Sequence, residues 1–168
     1  GYAADNAPRL ASADFLSVAS DDFLHRVISE GHSGTPMAGF AGVHGGPLGD
    51  PDIDRLVAYL RSLGPPAVDV AHTRVLGDPD RGRPIYEREC ASCHGLAGEG
   101  VSAPTLAHPI FRESASDGFL RRTIAGGRDG TLMRAWEEVL SSQEIDDVVL
   151  YVRALPPMTV PAPAALPT

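Results

Sequence analysis

Cys90-Ala91-Ser92-Cys93-His94 is the densest cluster of reactive side chains in this sequence, and it holds both of the chain's cysteines. Two thiols separated by two residues and followed directly by an imidazole form the attachment signature of c-type haem. Each thiol can add across one vinyl group of the porphyrin, which places the imidazole of His94 as the proximal iron ligand. Other chemistries fit these residues less well. A disulfide closing so short a loop would restrain the unfolded chain little. A zinc site needs four ligands, and no second cysteine pair exists to supply them. A thioredoxin-like pair belongs in a βαβ context, and no stretch here alternates as a strand would.

Haem iron has a sixth position, and the candidate for it is Met133, in Gly127-Arg128-Asp129-Gly130-Thr131-Leu132-Met133. A thioether is a soft, neutral ligand that favours ferrous iron and raises the potential. The glycines let such a loop lie close to a haem edge. Methionine is ordinarily core filler, but the chain has only three, and two of them occupy the same position of an internal repeat. The third, Met158, lies in a proline-rich tail and is a poor candidate. His25, His32, His44, His72 and His108 show no metal-ligand spacing and are expected to be mostly solvated.

The elements that must position these residues read as helices. Ser141 and Glu144 form a capping box, followed by Ile145, Val148, Val149, Val152 and Leu155 on one face, with Pro156-Pro157 as the stop. An earlier helix has the same design: Asp50 as cap, Pro51 in the first turn, and Ile53, Leu56, Val57, Leu60 and Leu63 along one face. Two more helices are expected over residues 117–125 and 21–29. Another, over 80–93, carries the haem motif. Gly82 and Tyr86 share a face of that helix, where a glycine permits close crossing of the final helix near Tyr151. The fold class is all-α.

The internal repeat organises the chain. At an offset of 96, Ala7-Pro8-Arg9-Leu10-Ala11 matches Ala103-Pro104-Thr105-Leu106-Ala107, Phe15 matches Phe111, and Phe23-Leu24 matches Phe119-Leu120. Gly31, Gly34, Thr35 and Met37 match Gly127, Gly130, Thr131 and Met133, and Phe40 matches Trp136. After about four extra residues in the first copy, Asp52-Ile53-Asp54, Tyr59 and Leu63 match Glu144-Ile145-Asp146, Tyr151 and Leu155. The expected organisation is an incomplete module over 1–64, a linker over 65–77, a complete module over 78–157 and a Pro/Ala-rich tail over 158–168. The first module lacks the front helix with its own Cys-x-x-Cys-His.

Composition limits the partners. The net charge of −8 argues against nucleic acid, whose binders carry basic patches. All 14 cations are arginine. An acidic surface suits a redox partner with a basic patch, and equally suits simple solubility. No stretch approaches the ~20 apolar residues of a membrane span. The first residues lack the basic and apolar regions of a signal peptide, so a processed or truncated chain is expected.

On Gly82, Tyr86, Cys90, Cys93, His94, Gly95, Pro104, Leu106, Met133, the helix from Glu144 and Tyr151, the second module resembles class I cytochrome c. The likeness covers about 80 residues, and the first module extends it more weakly. The resemblance implies a small helical wrap around one covalent haem c, electron transfer as the function, and attachment of the haem outside the cytoplasm, so that the location is periplasmic or otherwise extracytoplasmic. It further implies that the Pro104 carbonyl accepts a hydrogen bond from the second nitrogen of His94. Trp136 and Arg134 are placed to line the haem edge or reach a propionate, or simply to pack.

The leading expectation is therefore an electron carrier, not an enzyme, with His94/Met133 ligation that saturates the iron. The alternative is a haem subunit or fragment of a larger dihaem oxidoreductase, respiratory or photosynthetic complex. An enzyme such as a dihaem peroxidase would need an open or displaceable ligand, which Met133 argues against. Met37 keeps three readings open. It could ligate a haem held on the missing front helix, cut off or on a separate chain. It could be a packing relic in a module without haem, or it could serve the haem of another molecule through exchange of that helix.

Overall fold

The computed structural model describes residues 9–32 and 37–159. Among them are eight α-helices: α1 (Ala13–Leu16), α2 (Asp21–Glu30), α3 (Asp50–Ser62), α4 (Pro79–Glu89), α5 (Ala91–His94), α6 (Pro109–Ser114), α7 (Asp117–Gly126) and α8 (Ser142–Ala154). The described residues form no strand, only an isolated bridge between Ala41 and Leu48. The all-α expectation holds. Ala7, Pro8, the 33–36 part of the Met37 loop and the tail beyond residue 159 lie outside the described residues.

Local signals place most helix ends. Ser20 and Ser116 cap α2 and α7 with the same backbone angles (φ −70°, ψ 163°), and each hydroxyl accepts the backbone N–H three residues on. At α8 the Ser141 side chain accepts from the Glu144 N–H while the Glu144 carboxylate receives the Ser141 N–H, as the capping box requires. One cap differs from the sequence expectation. Gly49, not Asp50, caps α3, and Asp52 reaches back to the Gly49 N–H at 3.2 Å. The acidic residue of that box lies in the first turn, so the cap itself needs no side chain. The single helix expected over 80–93 is divided at Cys90, which ends α4 and begins α5. The short helices α1 and α6 were not apparent, since a single turn leaves no periodic pattern to read.

The two halves share their tie points. Near the end of α8, Arg153 donates Nε to Asp117 (2.7 Å), Nη1 to the Arg112 carbonyl (2.6 Å) and Nη2 to the Ala115 carbonyl. Near the end of α3, Arg61 does the same with Asp21, the Leu16 carbonyl and the Ala19 carbonyl. Each arginine satisfies the orphan carbonyls at the end of one short helix and the acidic first turn of the next.

Buried side chains from both halves form one cluster, running from Phe15, Leu16, Phe23, Leu24 and Val57 to Tyr86, Phe119, Ile145, Val148 and Leu155. At its centre the repeat-related rings Phe23 and Phe119 stack at 5.0 Å, with Phe15 and Phe111 edge-on to their own partners at 6.2 and 6.3 Å. Packing the halves on one another enlarges the apolar core that each small half could build. Residues 65–77 hold no helix but are packed down: Val70 is buried, and the Val68 N–H donates to the Ser17 carbonyl at 2.7 Å.

The site rests mainly on the crossing of α4 and α8. A Cβ at Gly82 would lie 2.1 Å from the Asp147 carbonyl oxygen and 3.0 Å from Tyr151 Cβ, so only glycine fits there without displacement. One turn further on, the Tyr86 and Tyr151 rings meet at 5.2 Å. Asp147, a residue to which sequence reasoning gave no role, is buried beneath the crossing. It accepts from Arg81 Nε (2.9 Å), Gln143 Nε2 (3.0 Å) and the Asp78 N–H (2.7 Å).

Candidate haem site

α4 delivers the attachment motif to a fixed place. The Cys90 N–H closes the last turn on the Tyr86 carbonyl at 2.8 Å, and α5 then turns once around Ala91–His94. The buried Tyr86 hydroxyl donates to the Gly95 carbonyl at 2.8 Å, tying the exit of that turn back to α4. The returning chain is anchored on the motif's own backbone. The Val101, Ser102 and Ala103 N–H groups converge on the Cys93 carbonyl at 3.0–3.1 Å, and Gly100 N–H reaches the His94 carbonyl at 2.7 Å. Thr105 Oγ1 donates to the Gly98 carbonyl at 2.9 Å.

These bonds bring the Pro104 carbonyl oxygen to 2.9 Å from His94 Nδ1. That contact assigns the Nδ1 proton and leaves Nε2 as the nitrogen available to a metal. Burial lowers the His94 pKa, and the Pro104 bond partly opposes that shift. Burial also pushes the Cys90 thiol up to about 12. Both cysteines are unbonded thiols. Among the described residues no three His, Cys, Asp or Glu side chains gather to hold a bare metal ion. Two thiols flanking one helical turn, with an oriented imidazole beside them, are the donor set that a covalently attached haem requires.

Met133 lies in a self-closed loop. Gly127, at φ 69°, starts it in the left-handed region, where a Cβ would also strike the Arg134 carbonyl carbon at 2.5 Å. The Arg128 N–H donates to the Met133 carbonyl at 2.8 Å, and Thr131 Oγ1 receives the Met133 N–H at 3.1 Å. The half-buried Met133 side chain packs, with Cys90 and Leu106, against the common core. Met37 follows the same plan: Gly31 has φ 66°, and the His32 N–H donates to the Met37 carbonyl at 2.8 Å. Arg134 stacks over the Trp136 ring at 5.5 Å.

One expectation about other side chains is corrected. His108 is 1 % exposed, and its ring lies 4.7 Å from that of His32, so neither is simply solvated. The cause is the packing of the two halves on each other. Met158 is tied down through its N–H to the Ala107 carbonyl at 3.0 Å, and Thr105 Oγ1 lies 3.6 Å from its sulfur.

A helical wrap with this attachment turn defines a c-type cytochrome. Residues 77–152 match the family described as cytochrome c oxidase, cbb3-type, subunit III. A cytochrome c-553-like protein of Synechocystis is 33% identical over 79 residues, covering 47% of this chain and 70% of that protein. The chain belongs to the class I c-type cytochromes, a family whose members carry covalent haem c. The cbb3-type cytochrome c oxidase subunit FixP of Bradyrhizobium diazoefficiens is 32% identical over 167 residues, covering 92% of this chain and 54% of the subunit. The chain spans about half the length of this subunit and of the CcoP subunit of an Azospirillum strain. In fold, it resembles a chain of a reducing HAO-like protein complex of Kuenenia stuttgartiensis, with TM-score 0.55 and 22% identity over 89% of this chain and 81% of that one.

Proposed function

We propose that this chain transfers electrons through one haem c attached at Cys90 and Cys93, with His94 and Met133 as axial ligands. The observation that carries the reading is the 2.9 Å contact between His94 Nδ1 and the Pro104 carbonyl. It orients the ring and raises its basicity at Nε2. The haem supplies a one-electron ferric/ferrous couple when bound. The chain's own residues hold the imidazole tautomer, keep the thioether loop closed and pack Cys90 and Ala91 into the common core. Held by both His94 and Met133, a bound haem would offer its iron no open position for substrate chemistry. The working site is extracytoplasmic, as for the cbb3-type subunits to which the chain is similar, and redox proteins are the partners. Operation as part of an oxidase assembly is the form of this function that the FixP and CcoP likeness favours.

The test is the absorption spectrum and intact mass of the full chain produced with haem attachment. One covalent haem and a sulfur-to-iron charge-transfer band in the oxidised protein are expected, and Met133→Ala should abolish the band. Ready carbon monoxide binding to the reduced protein with no such band overturns the assignment of Met133.

A second haem, ligated by Met37, is supported by the outer face of α3. Leu56, Tyr59 and Leu63 there are 40, 61 and 42% exposed. Of their repeat partners in the second half, Val148 and Leu155 are buried in the core and Tyr151 meets Tyr86 of α4. The face suits a helix of the α4 type from outside these residues, carrying its own Cys-x-x-Cys-His. Fusing such a helix ahead of residue 9 should raise the haem count to two, with a second charge-transfer band lost in Met37→Ala. A single haem in that fusion refutes the idea.

A further inference from the structure

The Met133 loop is held from outside its own half. The Arg128 guanidinium carbon sits 5.3 Å from the centre of the Phe15 ring and 5.4 Å from that of Phe119, one ring from each half of the chain. Its Nη2 donates to Thr123 Oγ1 at 2.9 Å, while Nη1 is buried with no hydrogen-bond partner among the described residues. The next residue continues the contact: the Asp129 N–H donates to Asp14 Oδ2 at 2.9 Å. Asp14 and Phe15 both belong to α1. Phe15 is itself buried against Phe23.

We propose that Asp14, Phe15 and Arg128 form a latch by which the first half of the chain keeps Met133 in its ligating position. The latch rests on the reading of Met133 as axial ligand. Its mechanical basis is the 2.8 Å bond from the Arg128 N–H to the Met133 carbonyl. Whatever immobilises residues 128 and 129 immobilises the backbone that carries the thioether. Opening the loop means breaking a hydrogen bond to a carboxylate, one of the stronger kinds, and withdrawing a cation from between two aromatic faces. Burial disfavours the Arg128 charge, and the nearby Asp14 carboxylate offsets this. Asp14, Phe15 and Arg128 are positioning residues, since they act on the iron only through the loop. They also make the ligation of one half depend on the docking of the other.

The test is the rate at which imidazole binds the oxidised, haem-loaded full chain, because imidazole replaces a thioether only when the loop opens. Asp14→Ala and Arg128→Met should each bind imidazole about tenfold faster, the effect of losing a charge-assisted bond. Asp14→Asn, which keeps an acceptor oxygen but loses the charge, should fall between native and Asp14→Ala. Ser141→Ala, which removes the α8 capping box and no hydrogen bond of the latch, should leave the rate unchanged and so separates loop opening from general destabilisation. Rates within twofold of native in both Asp14→Ala and Arg128→Met, with the native charge-transfer band present, overturn the latch alone. Absence of that band from the native protein overturns the Met133 assignment and the latch together.

Discussion

Replacing Gly82 by alanine sets two opposed effects against each other at the α4/α8 crossing. Alanine is the better helix former by about 1 kcal/mol, so an exposed helical site would gain stability. At Gly82 the new methyl would stand 2.1 Å from the Asp147 carbonyl oxygen and 2.5 Å from its carbon. Both are backbone atoms of α8, which no rotamer change can move aside. Restoring a normal carbon–oxygen contact of ~3.3 Å requires the helices to separate by about 1 Å. A gap of that size forfeits a quarter to a half of the dispersion between facing side chains. The residues affected include Ile85, Tyr86, Val148 and Val152, all buried. Overpacking of this kind costs about 1–3 kcal/mol, and a rigid backbone contact belongs at the upper end. Less the gain in helix propensity, the net loss is ~2 kcal/mol, or a fall in Tm of about 4–8 °C for a chain of this size. Gly126→Ala provides the control: it lies at the end of α7, and a Cβ there meets nothing within 4 Å. That variant should be as stable as native or slightly more so. Thermal unfolding of the haem-loaded chain, followed by helical circular dichroism, measures both. If Gly82→Ala matches Gly126→Ala, helix propensity outweighs the close crossing and the reasoning is wrong.

Three further outcomes follow from neighbouring contacts. Tyr86→Phe removes the buried hydroxyl that donates to the Gly95 carbonyl and should cost ~1 kcal/mol in denaturant unfolding; an unchanged midpoint would mean the bond contributes nothing net. Ser141→Ala deletes the α8 capping box and should lower Tm by about 2–4 °C, with no change in the absorption spectrum. The third outcome concerns acid. Arg81 foremost, then Gln143 and the Asp78 N–H, hold the Asp147 carboxyl below the usual range despite its burial. Its contribution to stability is therefore present above the unfolded value near 4 and is lost as pH falls through the lower folded value. Denaturant midpoints of the native chain should drop in that acid window. Asp147→Asn should start lower at neutral pH and show a flatter acid limb, whereas parallel curves would show that Asp147 is not the group responsible.

Much of the site was legible because its chemistry is local. The spacing of Cys90, Cys93 and His94 names the cofactor chemistry without any fold. The capping signal at Ser141–Glu144 and the apolar face from Ile145 to Leu155 determine α8. Gly82 and Tyr151 were readable as crossing partners because a glycine on the face of Tyr86 makes sense only against another helix. Asp147 was not legible. An aspartate on the first turns of a helix ordinarily points to solvent, and its burial follows only from the angle at which α4 lies across α8. The roles of Arg61 and Arg153 were not legible either, since the carbonyls they bind are 38–45 residues away in sequence.

The sequence by itself determined the class of helix, the haem-attachment chemistry and the repeat that pairs Met37 with Met133. Those features depend on residue type, period and short spacing, which a chain carries before it folds. Tertiary structure alone decided that Pro104 meets His94 Nδ1, that the halves share one aromatic core, and that Asp14 and Phe15 of the first half grip Arg128 and Asp129 of the second. The contacts of Asp14 and Phe15 bridge more than 100 residues. They arise because the two halves pool their buried rings in one core, and no periodicity in a single segment can encode where two such surfaces meet.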